Sequence, residues 1–427
     1  GPMKTLVDTG NALKQGLAAI RTEFQIPAGF PAEVLEAAEI AARRLPTEHV
    51  DRTALPFVTL DPASSTDLDQ AFWIEESGAD LRLYYAIADI AWFVEDGDPV
   101  DAEAWRRGET LYLPDGKASL YPPVLSEKAA SLLPDGPRPA ILLIVRIDGD
   151  GQVRLEGAER AMVRSRAKLA YDSVQPTDLP KDFEELARRV QGAEERRGAA
   201  RVDPPEQEIV TLANGNMALT FRPRLASEAN NASLSLAANL AVADALQAHG
   251  TGLFRVMAEP DARAVERLRL SARALGVDWP AQMTLKDFEQ TLAPANPQHA
   301  ALMLAIRRAG TGASYVPYRS GVVPWHAAMA ATYAHATAPL RRLADRYVLR
   351  AILEIANGRP VPPVVSAAFE KLPVVMSRAD VLAGKIERAA VDLAEAVLLG
   401  GQEGQTFRAL VTETDERGAK IQLCDQP

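Results

Sequence analysis

Residues 59–73 read TLDPASSTDLDQAFW, which places Asp61, Asp67 and Asp69 within nine positions and follows them with an alternating apolar run. The residues just before, Phe57 to Leu60, read as a strand, and Pro62 forces an extended exit from it. Leu68 to Glu75 reads as a second strand and Leu81 to Ile87 as a third, with Ser77-Gly78 as the turn between them. Alternation along the second strand puts Asp67 and Asp69 on one face and Leu68, Gln70, Phe72 and Ile74 on the other. A short loop of small residues returns Asp61 to the pair.

By default, a loop rich in carboxylates is a solvated turn. Crowding argues against that here, because three acids in a partly buried place raise one another's pKa unless a cation sits among them. Oxygen-only ligands suit Mg²⁺ or Mn²⁺. Two such ions roughly 3.5–4 Å apart can activate water and stabilise a leaving alkoxide in phosphodiester hydrolysis. Gln70 stands where a fourth carboxylate would complete the set.

Far along the chain, residues 333–359 read YAHATAPLRRLADRYVLRAILEIANGR. Pro339 suits the first turn of a helix, with Thr337 as its cap, and Gly358 suits its end. Leu340, Leu343, Ala344, Tyr347, Val348, Ala351, Ile352 and Ile355 trace one apolar face. Arg341 and Arg342 then fall in the first turn, where backbone N–H groups already favour an anion. Asp345, four residues after Arg341, is placed to hold it. Arg346 and Arg350 read as an ordinary solvated charged face.

The whole chain has 427 residues, 47% hydrophobic and 24% charged, enough for one large catalytic-sized domain with smaller attachments. Gly1-Pro2-Met3 resembles a tag-cleavage scar. No long apolar run is free of charge, so no membrane span is expected. A single cysteine, Cys424, and five histidines argue against disulfides and zinc and fit a cytoplasmic protein. The net charge of −10 argues against a general polyanion-binding surface, but leaves room for a buried basic channel.

Residues 8 to 45 read as two helices, and the α+β pattern from 51 to 400 as one domain. Within it a strand is expected at Ile141 to Ile147, another near Gln152 to Glu156, and helices at 183–197, 233–249, 261–275, 299–309, 339–356 and 378–399. From Gly404 to Leu423 alternation returns around Glu416-Arg-Gly418, as in the first hairpin of a small barrel.

Taken together, these residues resemble the catalytic domain of the ribonuclease II (RNB) family. Thr59-Leu-Asp61 and Asp67-Leu-Asp69-Gln70-Ala71 are similar to the family signature, and Tyr85-Ala-Ile-Ala-Asp89-Ile follows as it does there. Thr110-Leu-Tyr112-Leu-Pro114, Tyr121 to Glu127, Ser131-Leu-Leu-Pro, Arg166 to Tyr171, His326 and Tyr333 to Asp345 continue the match in order, over about 300 residues. The resemblance implies an α+β RNB domain, a mixed sheet packed with helices, after a short helical segment (1–50) and before the start of an OB-fold (401–427).

It further implies a processive 3′-to-5′ exoribonuclease that hydrolyses single-stranded RNA with a free 3′ end to nucleoside 5′-monophosphates with Mg²⁺, Mn²⁺ being an alternative. A monomer is expected, without a nucleotide cofactor. Asp67, Asp69 and Arg341 would be catalytic, and Asp61, Asp67, Asp69 and Gln70 would surround the metal. Tyr112, Tyr171, Arg342, His335 and Thr337 would contact RNA, the tyrosines by stacking on or positioning terminal nucleotides.

Gln70 replaces the family's fourth aspartate. Asn230-Asn231-Ala-Ser233 stands where a glutamate pair is usual, and Glu206 and Glu208 lie where a stacking aromatic is expected. The segment upstream is too short for paired cold-shock barrels, which predicts a more open RNA path, and the C-terminal hairpin supplies only two of an OB barrel's five strands. Two other readings remain: a catalytically degenerate RNA-binding or regulatory protein, and a Mg²⁺-dependent phosphodiesterase for another substrate.

Overall fold

The alternating segments assemble into a seven-stranded sheet in the computed structural model, which describes residues 5–7, 11–199, 206–211, 217–222, 225–310, 312–398, 407–412 and 420–425. Gly1-Pro2-Met3, the turn expected at Glu416–Gly418 and the side chains of Glu206, Glu208 and Cys424 lie outside the described residues. The strands used below are β1 (Phe57–Asp61), β2 (Gln70–Ser77), β3 (Asp80–Ala88), β4 (Leu111–Leu113), β5 (Gly116–Ala118), β6 (Arg138–Ile147), β7 (Val153–Val163) and β8 (Ser165–Ala170). The sheet runs β8-β1-β2-β3-β6-β7 and ends on the short strand Val50–Asp51. Its middle is antiparallel, and β8 joins β1 in parallel so that Ala170 sits beside Asp61.

The helices that matter are α1 (Ala12–Glu23), α2 (Ala32–Ala42), α3 (Phe183–Arg197), α4 (Ala226–Ala248), α5 (Leu343–Ile355) and α6 (Pro363–Leu398). The helices α4 and α5 pack on β7 and α3 packs on α4, burying an apolar core that includes Phe57, Phe72, Tyr85, Ile141, Leu234, Val242 and Ile352. Phe72 of β2 stacks on Phe183 at the start of α3, with ring centroids 5.6 Å apart. A second core joins α1, the β4–β5 hairpin and the C-terminal half of α6 through Leu13, Leu17, Leu111, Leu113 and Ile386.

Several boundaries differ from expectation for physical reasons. The strand after the acidic loop starts at Gln70, not Leu68, because Leu68 bonds to neither sheet neighbour: its N–H goes to Ser131 Oγ (2.8 Å) and its carbonyl to Leu132 N–H (3.0 Å). The helix expected from 233 begins at Ala226. Asn231, a poor helix former, is held there by bonds to Leu60 O (3.1 Å) and Tyr171 Oη (3.0 Å). The helix expected from 378 begins at Pro363 and continues through Pro373. An interior proline costs ~3 kcal/mol, and buried Val365, Phe369, Leu372 and Met376 on either side offset it.

The C-terminal strands Phe407–Thr412 and Lys420–Asp425 pair antiparallel, as their alternation predicts. They extend a five-stranded sheet through Glu206–Thr211 rather than standing alone.

Arg346 is not a solvated residue but one of the largest fully buried side chains, 1% exposed. It is paired with Asp101 and bonded to Tyr121 Oη and Tyr347 Oη at 3.0 Å each. Removing one member of a buried ion pair strands the other, at a cost of about 3–5 kcal/mol. Asp101→Ala is therefore expected to lower the urea midpoint sharply, whereas an Asp101→Leu/Arg346→Met double variant regains most of the loss. Equal destabilisation by the single and double changes would show that the pair does not act as a unit.

Candidate active site

The acidic loop is fastened at every turn. Ser65 N–H bonds to Pro62 O (3.0 Å), Ser131 Oγ donates to Thr66 O (2.6 Å), and Ala88 N–H donates to Asp69 O (2.8 Å). The Ser131 side chain and the Ala88 backbone thus hold the loop between β1 and β2. Asp61, Asp67 and Asp69 are 4%, 5% and 2% exposed, so this is not a solvated turn. Asp67 and Asp69 both precede β2, so the loop's anchoring and not strand alternation sets where they lie.

The arginines arrive from the other end of the chain. Leu340 N–H donates to Asp69 Oδ1 at 2.9 Å, a contact between residues 271 positions apart. Gln70 Nε2 donates to Thr337 O. The helix does not begin at Pro339: α5 starts at Leu343, Arg342 is its extended N-cap, and Thr337 caps nothing. Residues 108–110 strap the preceding turn, with Thr110 N–H on Arg341 O (2.9 Å) and Leu343 N–H on Gly108 O (3.0 Å). Those bonds take the backbone groups a longer helix would use. Asp345 holds Arg342, not Arg341, through a two-pronged contact: Arg342 Nε to Oδ1 at 3.0 Å and Nη2 to Oδ2 at 2.9 Å. Ala338 N–H adds a third bond to Asp345 Oδ2. Arg341 itself is 5% exposed beside this turn.

Thr337 is a fully buried hub. Its Oγ1 pairs with Ser235 Oγ (2.8 Å) and accepts from Asn239 Nδ2 (3.4 Å), tying α4 to the arginine turn. Asn239 also takes Ala336 N–H on its Oδ1 (2.9 Å). Tyr171 follows β8; its N–H donates to Asp61 O (3.2 Å) and its hydroxyl oxygen accepts from Asn231 Nδ2 (3.0 Å). It is buried beside the acidic strand rather than presented as an open ring. Tyr112 lies half-buried on β4, directly across the hairpin from Lys117.

His335 stands between Tyr315 and Tyr333, and burial, followed by the Arg342, Arg255 and Arg341 guanidinium groups, holds its pKa well below the usual imidazole range. Burial pushes the Tyr315 hydroxyl up, so that group keeps its proton, and its oxygen lies at hydrogen-bonding distance from His335 Nδ1 (2.8 Å). His326 is similarly pushed down to about 4, by burial and by Arg255, and its Nδ1 accepts Met329 N–H (3.2 Å). Both depressions have one sign: the unfolded chain takes up protons near pH 6.5 that the folded chain refuses. Their stabilising contribution is complete above about pH 6.5 and is lost as pH falls toward 4. Urea midpoints should fall over that window, and His326→Gln should flatten the fall; an unaltered slope would remove His326 as a cause.

No motif singles out Lys117, and Glu127 closes the Tyr121 to Glu127 stretch without a role of its own there. Lys117 Nζ lies 2.9 Å from Asp67 Oδ2 and 3.5 Å from Glu127 Oε1, and Glu127 Oε1 accepts from Thr66 Oγ1 at 2.8 Å. The only sequence signal was the Asp115-Gly116 turn, which implies a hairpin and so a partner for Tyr112. Among the described residues, no three carboxylate, imidazole or thiolate groups form a ready-made metal cage. Mg²⁺ does not require one, since it commonly binds one or two carboxylates and completes its shell with water and substrate phosphate. The donor chemistry fits such an ion: hard oxygens, buried and negatively charged.

Residues 49–358 match the family model described as RNB domain. Ribonuclease R from Aquifex aeolicus is 27% identical over 451 residues, covering 98% of this chain and 63% of that protein. The chain spans about half to two thirds of the length of the first curated relatives it matches. Mycoplasma genitalium RNase R in complex with ribose methylated single-stranded RNA superimposes with a TM-score of 0.83 at 22% identity, over 96% of this chain and 68% of that one. Yeast Ssd1, described as a pseudonuclease, shares the fold with a TM-score of 0.67 at 15% identity, over 94% of this chain and 53% of that one.

Proposed function

The chain belongs to the RNB domain family, and on that premise we propose that it is a divalent-metal-dependent exoribonuclease acting processively on single-stranded RNA from the 3′ end. The products are nucleoside 5′-monophosphates: water attacks phosphorus, the P–O3′ bond breaks, and the shortened chain keeps a 3′-hydroxyl. The observation that carries this reading is the Leu340 N–H to Asp69 Oδ1 bond, which seats a buried acidic loop against the arginine turn. Carboxylates and guanidinium groups meeting at one buried place are the two halves of a phosphoryl-transfer site.

Asp61, Asp67 and Asp69 would hold Mg²⁺, which when bound polarises a phosphoryl oxygen and lowers the pKa of water. The remaining work belongs to the chain itself. Arg341 meets the non-bridging oxygens as charge develops on them. Arg342, held by Asp345, keeps the turn in shape and adds positive field. Thr337 and Gln70 fix the distance between loop and turn. Tyr112 offers an aromatic face to a terminal base, and Tyr171 positions β8 against Asp61.

Incubation with 5′-labelled single-stranded RNA and Mg²⁺ tests the reading. Stepwise shortening from the 3′ end, release of 5′-monophosphates and arrest by EDTA are expected. Absence of shortening, or shortening that EDTA leaves intact, would refute it. A second reading, an RNA-binding protein without catalysis, is favoured by Gln70, whose amide is committed to a backbone carbonyl and supplies no charge. Ssd1 shows that this fold also occurs in a pseudonuclease. Tight RNA retention on filters without any Mg²⁺-dependent product would select it.

A further inference from the structure

Helix α6 packs on the core along one side and turns another to solvent. On the open side Lys371, Arg378 and Lys385 recur every seventh residue, and Val374, Val381 and Arg388 repeat the interval three positions later. Alternate steps of three and four keep all six on one face of a helix, over about 26 Å of its length. All six are exposed, Val374 by 71% and Val381 by 54%. Valine is a poor residue for an open helix position, because its branched side chain is stiff there and leaves apolar surface in water. Single exposed apolar side chains are ordinary. Two in register, interleaved with four cations at coiled-coil spacing, make a seam without a mate.

The charges on this seam have one sign. Among the described residues, Lys371, Lys385 and Arg388 make no ion pair. Arg378 Nη2 donates to the carbonyls of Trp105 and Arg106 (3.2 and 3.3 Å), which fixes the guanidinium at the surface without neutralising it. The acids of the same helix lie to the side or beyond. Glu370 is held by Arg319 through both oxygens at 2.7 Å, and Asp380 turns to Arg255 (3.2 Å). Glu387 falls off the seam by helix geometry, and Asp392 follows the last cation. With a net charge of −10 over the whole chain, the seam is a basic strip on an acidic molecule.

We propose that this face of α6 docks an amphipathic helix of another protein, with acidic side chains opposite the cations and an apolar row opposite the valines. A second copy of this chain does not fit, because it would set cation against cation along the seam. An RNA strand would satisfy the cations and gain nothing from the valines. Two valines also bury too little apolar area to hold a membrane surface. A helix laid along the seam uses both kinds of side chain, with anchors at the same spacing. None of the six residues belongs to the acidic loop or the arginine turn, so the docking does not depend on the hydrolase reading.

Fluorescence anisotropy of a labelled helical peptide of about four heptads, with glutamate at one core position and leucine at the other, tests this on the full chain. Saturable binding of one peptide per chain is expected. A peptide of the same composition in scrambled order, and one with lysine in place of glutamate, should each bind at least about tenfold more weakly. Lys371→Glu/Lys385→Glu and Val374→Asp/Val381→Asp should each weaken binding by about tenfold or more, with urea midpoints near wild type because all four side chains are exposed. Both double variants are expected to bind and shorten labelled single-stranded RNA as wild type does. Failure of the glutamate–leucine peptide to bind, equal binding of the scrambled peptide, or unchanged affinity in either double variant overturns the proposal. So does a loss of RNA affinity in Lys371→Glu/Lys385→Glu, which would mark the seam as an RNA face.

Discussion

Asp69→Asn is expected to reduce the single-turnover rate of RNA shortening on the order of 10³-fold while leaving RNA affinity and the urea midpoint close to wild type. The side chain is 2% exposed and its Oδ1 accepts Leu340 N–H at 2.9 Å. An asparagine oxygen can still accept that bond, so the loop stays seated on the arginine turn and the fold keeps its closure. What the change removes is charge, and with it one anionic ligand for a hard cation. Stabilisation of transition-state charge by a bound metal is worth several kcal/mol, and each 1.36 kcal/mol is a factor of ten. A variant that keeps more than a tenth of wild-type activity would take Asp69 out of the chemistry. A variant that unfolds would instead show that the loop depends on the carboxylate for stability. Asn, unlike Ala, separates those two outcomes, because its amide oxygen keeps the bond to Leu340 N–H.

Much of this site is legible in the sequence, and the reason is local. Strand Phe57–Asp61, helix Phe183–Arg197 and the acidic loop between β1 and β2 are written in short-range periodicity and turn chemistry, which a single sequence carries directly. What eluded it depends on partners far away in the chain. Arg346 reads as surface from its neighbours and is buried because Asp101, 245 positions earlier, arrives to pair with it. The start of α5 is shifted because residues 108–110 take the backbone groups of the arginine turn. Asn231 sits inside α4 because Leu60 and Tyr171 offer it bonds that no neighbour in sequence offers. Lys117 carries no motif at all; only the hairpin that holds it opposite Tyr112, and the fold that brings its ammonium to Asp67, give it a partner. Fold-level signals are local, whereas electrostatic partnership is a property of the closed structure.

Neighbouring arginines should fail in different ways, and that contrast is the sharpest test of how the turn works. Arg342 is gripped by both oxygens of Asp345, a fully buried carboxylate that also takes Ala338 N–H. Arg342→Ala leaves that charge without its guanidinium, so the expected result is a loss of about 3–5 kcal/mol of stability, read as a lowered urea midpoint. The bond from Thr110 N–H to the Arg341 carbonyl does not depend on the side chain, so Arg341→Ala should keep that backbone tie. Its effect should fall on the chemical step, slowing single-turnover hydrolysis by about 10²–10³-fold, the usual consequence of removing one donor aimed at developing charge. Arg341→Lys should recover part of the rate, because a point charge replaces the charge but not the planar fork. If Arg341→Ala proves as unstable as Arg342→Ala, or leaves the single-turnover rate unchanged, then Arg341 serves the fold and the phosphate is met by another cation.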